Sequence, residues 1–317
     1  MSLSTGRPTV SVCIVTFNSA SDIEDCLHAI MKQSFPVASI VVVDNASQDG
    51  TADRVSRFGP PVRLLSNAVN NGFAGGQNQA IARTDSDYVL VLNPDVALEP
   101  DYIARIVEAM DNDPEAGCAT GKLVLAERPD VMDSAGLALH ADRNAYDLAA
   151  GQPASQWDEP REVFGVSGAA AMYRRAMIED ISYAGQFFDE DFFAYKEDVD
   201  VAWRARHLGW KARYAPAARA VHRRGWKKGG RQAVPLAVRR HSYQNRFFTL
   251  IKNEPAGLHW FWLLPLIAVK ETAKLAYIVV REPGLLGSWP VIWRNLRPML
   301  RKRRWLFRRK LSIPVKN

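Results

Sequence analysis

The sequence predicts an α/β protein with a mostly parallel β-sheet and helices on both faces. Two observations predict it. Four apolar runs rich in Val, Ile and Leu recur between residues 9 and 95, separated by segments of helical periodicity. These runs are apolar throughout rather than alternating, which is the pattern of strands covered on both faces. Ligands of such sheets gather beyond the carboxyl ends of the strands.

The first run, "TVSVCIVTF" (9–17), reads as a buried strand that stops at Asn18. In "ASDIEDCLHAIMKQ", Ile23, Leu27, Ile30 and Met31 recur at helical spacing, with Ser21 placed to cap the helix. "SIVVVDNAS" (39–47) is the second strand, and a short helix follows from Thr51. "VRLLSN" is the third strand and residues 76–83 are a helix. "DYVLVLNPD" (87–95) is the fourth strand, followed by a helix from Asp101 to Met110. After residue 115 the pattern loosens. "CATGKLVL" and "GVSGAAAMY" read as strands around a long surface excursion, and "KARYAP" and "ARAVHR" as two short ones. Between them, Val199, Ala202, Trp203 and Arg206 mark a helix that Gly209 would end, with Asp198 at its cap and Asp200 in its first turn. "AVPLAVRRHSYQNRFFTLIKN" predicts a basic amphipathic helix. Two parts are expected, residues 1–230 and residues 231–317.

The charge is unevenly spread. Residues 1–200 carry 14 Lys and Arg against 31 Asp and Glu, whereas residues 201–317 carry 27 against 3, for a net charge of +7. The second part should meet something anionic. Cys13, Cys26 and Cys118 are too few and too scattered for a disulfide framework or a zinc site, which suggests a reducing, cytosolic setting. The N-terminus lacks the charged and apolar regions of a signal peptide. No apolar run reaches membrane-spanning length; the nearest, residues 258–269, stops at Lys270 and Glu271.

Five constellations carry candidate chemistry. Asp44 ends the second strand, where a carboxylate either accepts a ring N–H of a pyrimidine base or closes an Asx-turn. A dinucleotide fold would require G-x-G-x-x-G after the first strand, and "TFNSASD" has no glycine. "NNGFAGGQNQA" (70–80) offers close backbone approach and a helix start suited to phosphate, or a plain turn. "GCATGK" is one residue short of a P-loop. Asp95 in "LVLNPDV" suits Mg²⁺ or Mn²⁺ with diphosphate oxygens as further ligands, or caps a turn. His222 is either a core histidine or a further ligand, in which case it favours Mn²⁺. Glu197, Asp198 and Asp200 put three carboxylates beside the aromatic "FFDEDFFAY", more than helix capping needs. Asp198 is placed to serve as a general base.

In order and spacing these pieces resemble the inverting family 2 glycosyltransferases, and within them the bacterial rhamnosyltransferase branch. The resemblance rests on "VSVCIVTFNS", "VVVDNASQDGT", "NNGFAGGQNQAI", "VLNPDV", "VSGAAAMYRR", "FDEDFFAYKEDVDVAWRARHLGW" and "ARAVHRRG", spanning residues 10–225. It implies the GT-A fold, a Rossmann-like nucleotide-sugar-binding sheet, followed here by a helical, basic, membrane-associating C-terminal region. Thr16, Phe17 and Asn18 would line the nucleotide base and Asp44 would bond its ring N–H. Asn71, Gly72, Phe73 and Asn78 would shape the donor pocket. Asn93 and Asp95 stand at the first and last positions of the family's D-x-D metal motif, and His222 would complete the metal site for Mg²⁺ or Mn²⁺. Asp198 would be the catalytic base, with Glu197, Asp200, Gly168 and Trp203 on the acceptor side or in support.

The resemblance further implies a nucleotide-sugar donor, dTDP-rhamnose or alternatively a UDP-sugar. It implies a polyprenyl-diphosphate-linked or polysaccharide acceptor in cell-surface glycan synthesis. Residues 283–317 hold ten Lys and Arg and no acid, interleaved with Trp289, Trp293, Trp305 and Phe307. That composition fits peripheral binding to an anionic membrane surface on the cytoplasmic, inner face. A nucleic-acid-binding protein using the basic tail is the rival from another class. The acidic first part would repel phosphate, so no nucleic-acid partner is expected.

Overall fold

The computed structural model describes residues 6–224 and 234–312. Its centre is a ten-stranded mixed sheet. The first four predicted strands are β1 (Val10–Thr16), β2 (Ser39–Asp44), β3 (Val62–Ser66) and β4 (Tyr88–Leu92). They pair in parallel in the order β3-β2-β1-β4. The helices between them are α1 (Ile23–Met31), α2 (Thr51–Ser56) and α3 (Gly72–Ile81). Val12, Ile14, Val42 and Leu90 pack under α1 and α2, with Ile23, Leu27 and Val55. Cys13, Val41, Val43 and Val91 point the other way, among Ala74, Ala80 and Ile81 of α3. Both faces of β1, β2 and β4 are dry, which is why those runs read as apolar throughout, whereas β3 at the edge is partly exposed.

Beyond β4 the sheet departs from the parallel expectation. A short β5 (Val96–Leu98) and α4 (Tyr102–Asp111) lead into β6 (Ala116–Leu125) and β7 (Arg128–Ser134). The surface excursion holds a separate hairpin, β8 (Leu137–Leu139) and β9 (Ala145–Asp147), and then β10 (Arg161–Val163). Next, β11 (Ala170–Arg174) inserts between β4 and β6, antiparallel to both. It is followed by α5 (Arg175–Ile181) and α6 (Glu197–His207). The two predicted final strands are one, β12 (Lys211–His222), parallel to β6 with a register shift between Ala215 and Arg219. Pro216 lies in that shift, where a strand residue without an N–H is tolerated.

Several local expectations are corrected. The glycines of 70–80 lie inside α3, whose first residue is Gly72. Ser21 does not cap α1; its hydroxyl bonds Asp22, and Ser19 O takes the Asp22 and Ile23 N–H groups. Asp198 is not the cap of α6; the cap is Lys196, two residues earlier and in the left-handed region, and Glu197 is the first helical residue. Gly209 (φ 86°) does end α6, with Trp210 N–H returning to Ala205 O and Gly209 N–H to Arg206 O.

The C-terminal region is α7 (Leu236–Asn253), α8 (Trp260–Arg281) and α9 (Trp289–Ser312). The expected boundary at residues 230 and 231 lies outside the described residues. Buried ion pairs join these helices to the sheet domain. Lys252 of α7 reaches Asp189 (2.7 Å) and Asp200 (2.9 Å), and Lys302 of α9 bonds Asp189 and Asp191. Arg204 Nε (2.9 Å) and Asn253 Nδ2 (2.8 Å) complete the shell around Asp200. Trp305 and Phe307 pack against the core around α5 and α6, and Trp289 against Phe247. These tail aromatics are therefore packing residues, while Trp293 stays exposed. Among the described residues, no helix is long and apolar enough to cross a membrane.

Candidate active site

Two neighbouring sets of predicted residues sit at the carboxyl edge of the sheet. At the ends of β1 and β2, Thr16 Oγ1 donates to Asp44 Oδ1 (2.8 Å). Ser47 donates to Asp44 twice, from Oγ to Oδ1 (2.5 Å) and from N–H to Oδ2 (3.0 Å). Asn18 (φ 52°) locks the two loops together: its N–H donates to Ser47 Oγ and its Oδ1 accepts from Gln48 N–H. The ring of Phe17 is left 52% exposed beside them.

The second set lines a cavity of about 420 Å³. It brings together Asn93, Asp95, Gly168, Glu197, Asp198, His222 and Phe73 from segments far apart in the chain. Asp95 follows β4, and the end of β12 pairs with β5, which sets His222 opposite Val96. His222 Nε2 therefore lies 3.3 Å from Asp95 Oδ1. Its Nδ1 is 2.8 Å from Asp133 Oδ2, on a carboxylate that is fully buried. Burial disfavours the charged ring, but the bonds to Asp133 and Asp95 outweigh it and lift His222 to about 9. Arg224 pairs with Asp133 (2.7 Å) and Asp147 (2.8 Å), closing that side of the cavity.

Across the cavity, Asp198 Oδ2 accepts the Gly168 N–H (3.2 Å) and Oδ1 accepts the Val199 N–H (2.7 Å). Burial raises its pKa, against those bonds and the Lys196 charge, and Asp147 adds to the rise. Glu197 is raised further by burial and by its neighbour Asp198, and its Oε2 is buried with no hydrogen-bond partner. Burial also lowers Lys196.

The turn before α6 is strained. Phe193, Tyr195 and Lys196 all have positive φ, at 61°, 72° and 66°. Two elements hold it there. Ala74 N–H, in the first turn of α3, donates to Phe193 O (3.0 Å). From α7, Asn245 Nδ2 lies 2.8, 2.9 and 2.7 Å from the carbonyl oxygens of Phe192, Ala194 and Tyr195. Gly72 is required here: a Cβ would fall 2.4 Å from Phe193 O.

The other candidates serve elsewhere. Asn71 is exposed ahead of α3 and makes no side-chain cap. Asn78 pairs its amide with both the N–H and the C=O of Phe188, tethering the segment that leads to the strained turn. Asp200 is buried among cations, and Trp203 packs edge-on against Phe164. Sequence reasoning missed Asp133, Asp147, Arg224, Lys196 and Asn245. Asn245 alone left a signal, a polar residue within the packed stretch of an amphipathic helix.

Asp95 and His222 offer one hard oxygen and one imidazole nitrogen, and Asp133 fixes Nδ1 so that Nε2 faces the cavity. This donor set fits Mg²⁺ or Mn²⁺ completed by diphosphate oxygens. Among the described residues, no cluster of three or more His, Cys, Asp or Glu side chains is arranged to hold a metal ion alone.

Residues 11–182 match the family model for glycosyl transferase family 2. The chain is 29% identical over 254 residues to an N-acetylglucosaminyl-diphospho-decaprenol L-rhamnosyltransferase of Mycobacterium tuberculosis, covering 73% of this chain and 81% of that one. Among solved structures it resembles a mannosyltransferase of Pyrobaculum calidifontis in complex with GDP-Man and Mn²⁺. That likeness has a TM-score of 0.57 and 21% identity, over 97% of this chain and 87% of that one. It also resembles S. aureus TarS 1-349 in complex with UDP (TM-score 0.57, 15% identity, 94% and 91% covered). These structural likenesses show the GT-A fold.

Proposed function

Because the chain belongs to glycosyl transferase family 2, we propose that it is an inverting transferase moving a sugar from a nucleotide donor to a lipid-linked or polysaccharide acceptor. L-Rhamnose from dTDP-rhamnose is the donor we favour, since the rhamnosyltransferase relative aligns with most of both chains. A UDP-hexose is the second reading. The nucleic-acid reading of the basic region is not favoured, because the acidic part carries the family match.

One observation carries the catalytic assignment. Asp198, oriented by the Gly168 N–H, shares a single cavity with Asp95 and His222. In this reading Asp198 takes the proton from the acceptor hydroxyl as that oxygen attacks the anomeric carbon from the face opposite the leaving diphosphate. The carbon inverts and the nucleoside diphosphate departs with its bonding electrons. A divalent ion held by Asp95 and His222 would supply charge neutralisation for the diphosphate. Lys196 and Arg224 add positive charge to the same cavity. At the other end, the exposed Phe17 ring offers a stacking surface for the base, and Asp44 Oδ2, which among the described residues accepts only the Ser47 N–H, can accept a ring N–H.

The acceptor class calls for a position on the inner face of the membrane, with residues 231–317 as the associating region. Thermal shifts with dTDP, UDP and GDP, each with Mn²⁺ or Mg²⁺, test the donor reading. Stabilisation by dTDP supports rhamnose, and stabilisation by UDP supports the second reading. A shift with GDP alone contradicts both.

A further inference from the structure

Apart from Lys310, which lies near His207, the basic residues of α9 divide into two sets. Lys302, Arg303 and Arg309 have partners in the rest of the chain: Lys302 and Arg303 turn inward to Asp189 and Glu254 O, and Arg309 bonds Asp180 at the surface. Arg294, Arg297, Arg301, Arg304 and Arg308 recur at steps of three and four along one face. All five are exposed, and among the described residues none has a carboxylate partner. Near its end this stripe borders a concavity of about 540 Å³ walled by Arg301, Arg304, Arg308, Trp305 and Tyr183.

The preceding helix has the complementary property. One face of α8 turns inward, with Ile278 buried and Glu271 paired to Arg246. The opposite face is apolar and bare: Phe261 is 75% exposed, Trp262 85%, Val269 70% and Val280 75%. A continuous face of this kind marks a contact surface. The turn at 283–288 leads from Val280 directly to α9, where Trp293 is 66% exposed.

We propose that the outward faces of α8 and α9 form a two-part docking surface for an anionic lipid bilayer, α8 burying its apolar side chains at the interface and the arginine stripe binding headgroup phosphates. This rests on the membrane reading of the C-terminal region and says which faces carry it. Charge identifies the occupant. The three acids of residues 201–317 are all engaged internally, Glu254 with Arg143, Glu271 with Arg246 and Glu282 with Arg239. A bare apolar helix beside unneutralised arginines suits a surface that is apolar inside and anionic at its rim.

The test is co-sedimentation of the full chain with phosphatidylcholine vesicles, with and without phosphatidylglycerol, at low and high salt. Two variants are compared: Arg297→Gln/Arg301→Gln/Arg304→Gln and Phe261→Ser/Trp262→Ser. Donor hydrolysis without acceptor serves as the folding control and should be unchanged in both. Wild-type protein is expected on phosphatidylglycerol vesicles. The arginine variant should lose on the order of a hundredfold in partitioning at low salt. The α8 variant should lose the binding that survives high salt. Binding that both variants retain overturns the assignment of these faces while leaving the membrane reading intact. No vesicle binding by wild type overturns both. Self-association abolished by the α8 variant, or DNA binding abolished by the arginine variant, would assign the faces to another occupant and overturn the proposal.

Discussion

Asn245 Nδ2 lies 2.7 Å from the carbonyl oxygen of Tyr195, one of three carbonyls of the strained turn that it gathers. A residue of α7 thus sets the backbone that aims Glu197 and Asp198. Asn245→Asp keeps the shape and removes the donor. Its kcat should fall by about 10- to 100-fold, since misplacements near 1 Å cost that much, with donor KM unchanged. Asn245→Gln should recover part of the rate. A parallel rise in donor KM would show a general loss of structure instead.

Asp198→Asn should lower transfer by roughly 10²–10⁴ while nucleotide binding persists, as expected for loss of a general base. A base acts only when deprotonated. Because burial raises Asp198, transfer in the wild type should increase with pH through a midpoint above the ordinary Asp value of about 3.9. The pH profile of kcat at saturating donor and metal checks this. Wild-type turnover in the variant would remove Asp198 from the mechanism.

Glu197 opposes stability at neutral pH. Its folded pKa is raised, so the native state holds the proton more tightly than the unfolded chain. Stability is fullest below the ordinary Glu value, about 4.3, and is lost as pH rises from there towards the raised value. Glu197→Gln should stabilise the metal-free protein at pH 8 and converge with wild type in acid. Paired denaturant melts at the two pH values measure it.

Asp133→Asn should weaken Mn²⁺ binding about 10- to 100-fold, the usual cost of losing the carboxylate behind a ligating histidine. Spin-resonance titration of free Mn²⁺ in the presence of nucleoside diphosphate reads this directly. Unchanged affinity would remove His222 from the metal site.

Asp200→Asn leaves Lys252 and Arg204 buried with less charge to meet, and should cost about 3–5 kcal/mol of stability. The ion pairs hold Asp200 below the usual carboxylate range despite its burial. That contribution is present above the ordinary Asp value and disappears as pH falls through the depressed one. Chemical denaturation between neutral and acid pH should show the wild-type advantage shrinking.

Most of the parallel half of the sheet was legible because β1, β2 and β4, dry on both faces, carry an unbroken apolar signature. The antiparallel course of β11 was not, since "AAMYR" reads the same in either direction. Order and spacing pointed to Asp95, His222 and Asp198, which line one cavity, yet the residues packed around them were hidden. Asp133 and Asn245 act on residues 89 and 50 positions away. The start of α6 was misread for the same reason: a turn held by α3 and α7 overrides local capping preference. Asp200 looked like a complement to its own helix, and its second partner, Lys252, is 52 residues distant.

The buried ion pairs of α7 and α9 also impose a schedule. Synthesis delivers Asp189 and Asp200 well before Lys252, and Lys302 later still. Until those lysines arrive, Asp189 lacks both of its lysine partners, Asp200 has only Arg204 to bury against, and the turn before α6 has no Asn245 to hold it. The last helices of the chain therefore complete the scaffold of a turn made some fifty residues earlier, so the cavity beside α6 is assembled from both ends of the sequence.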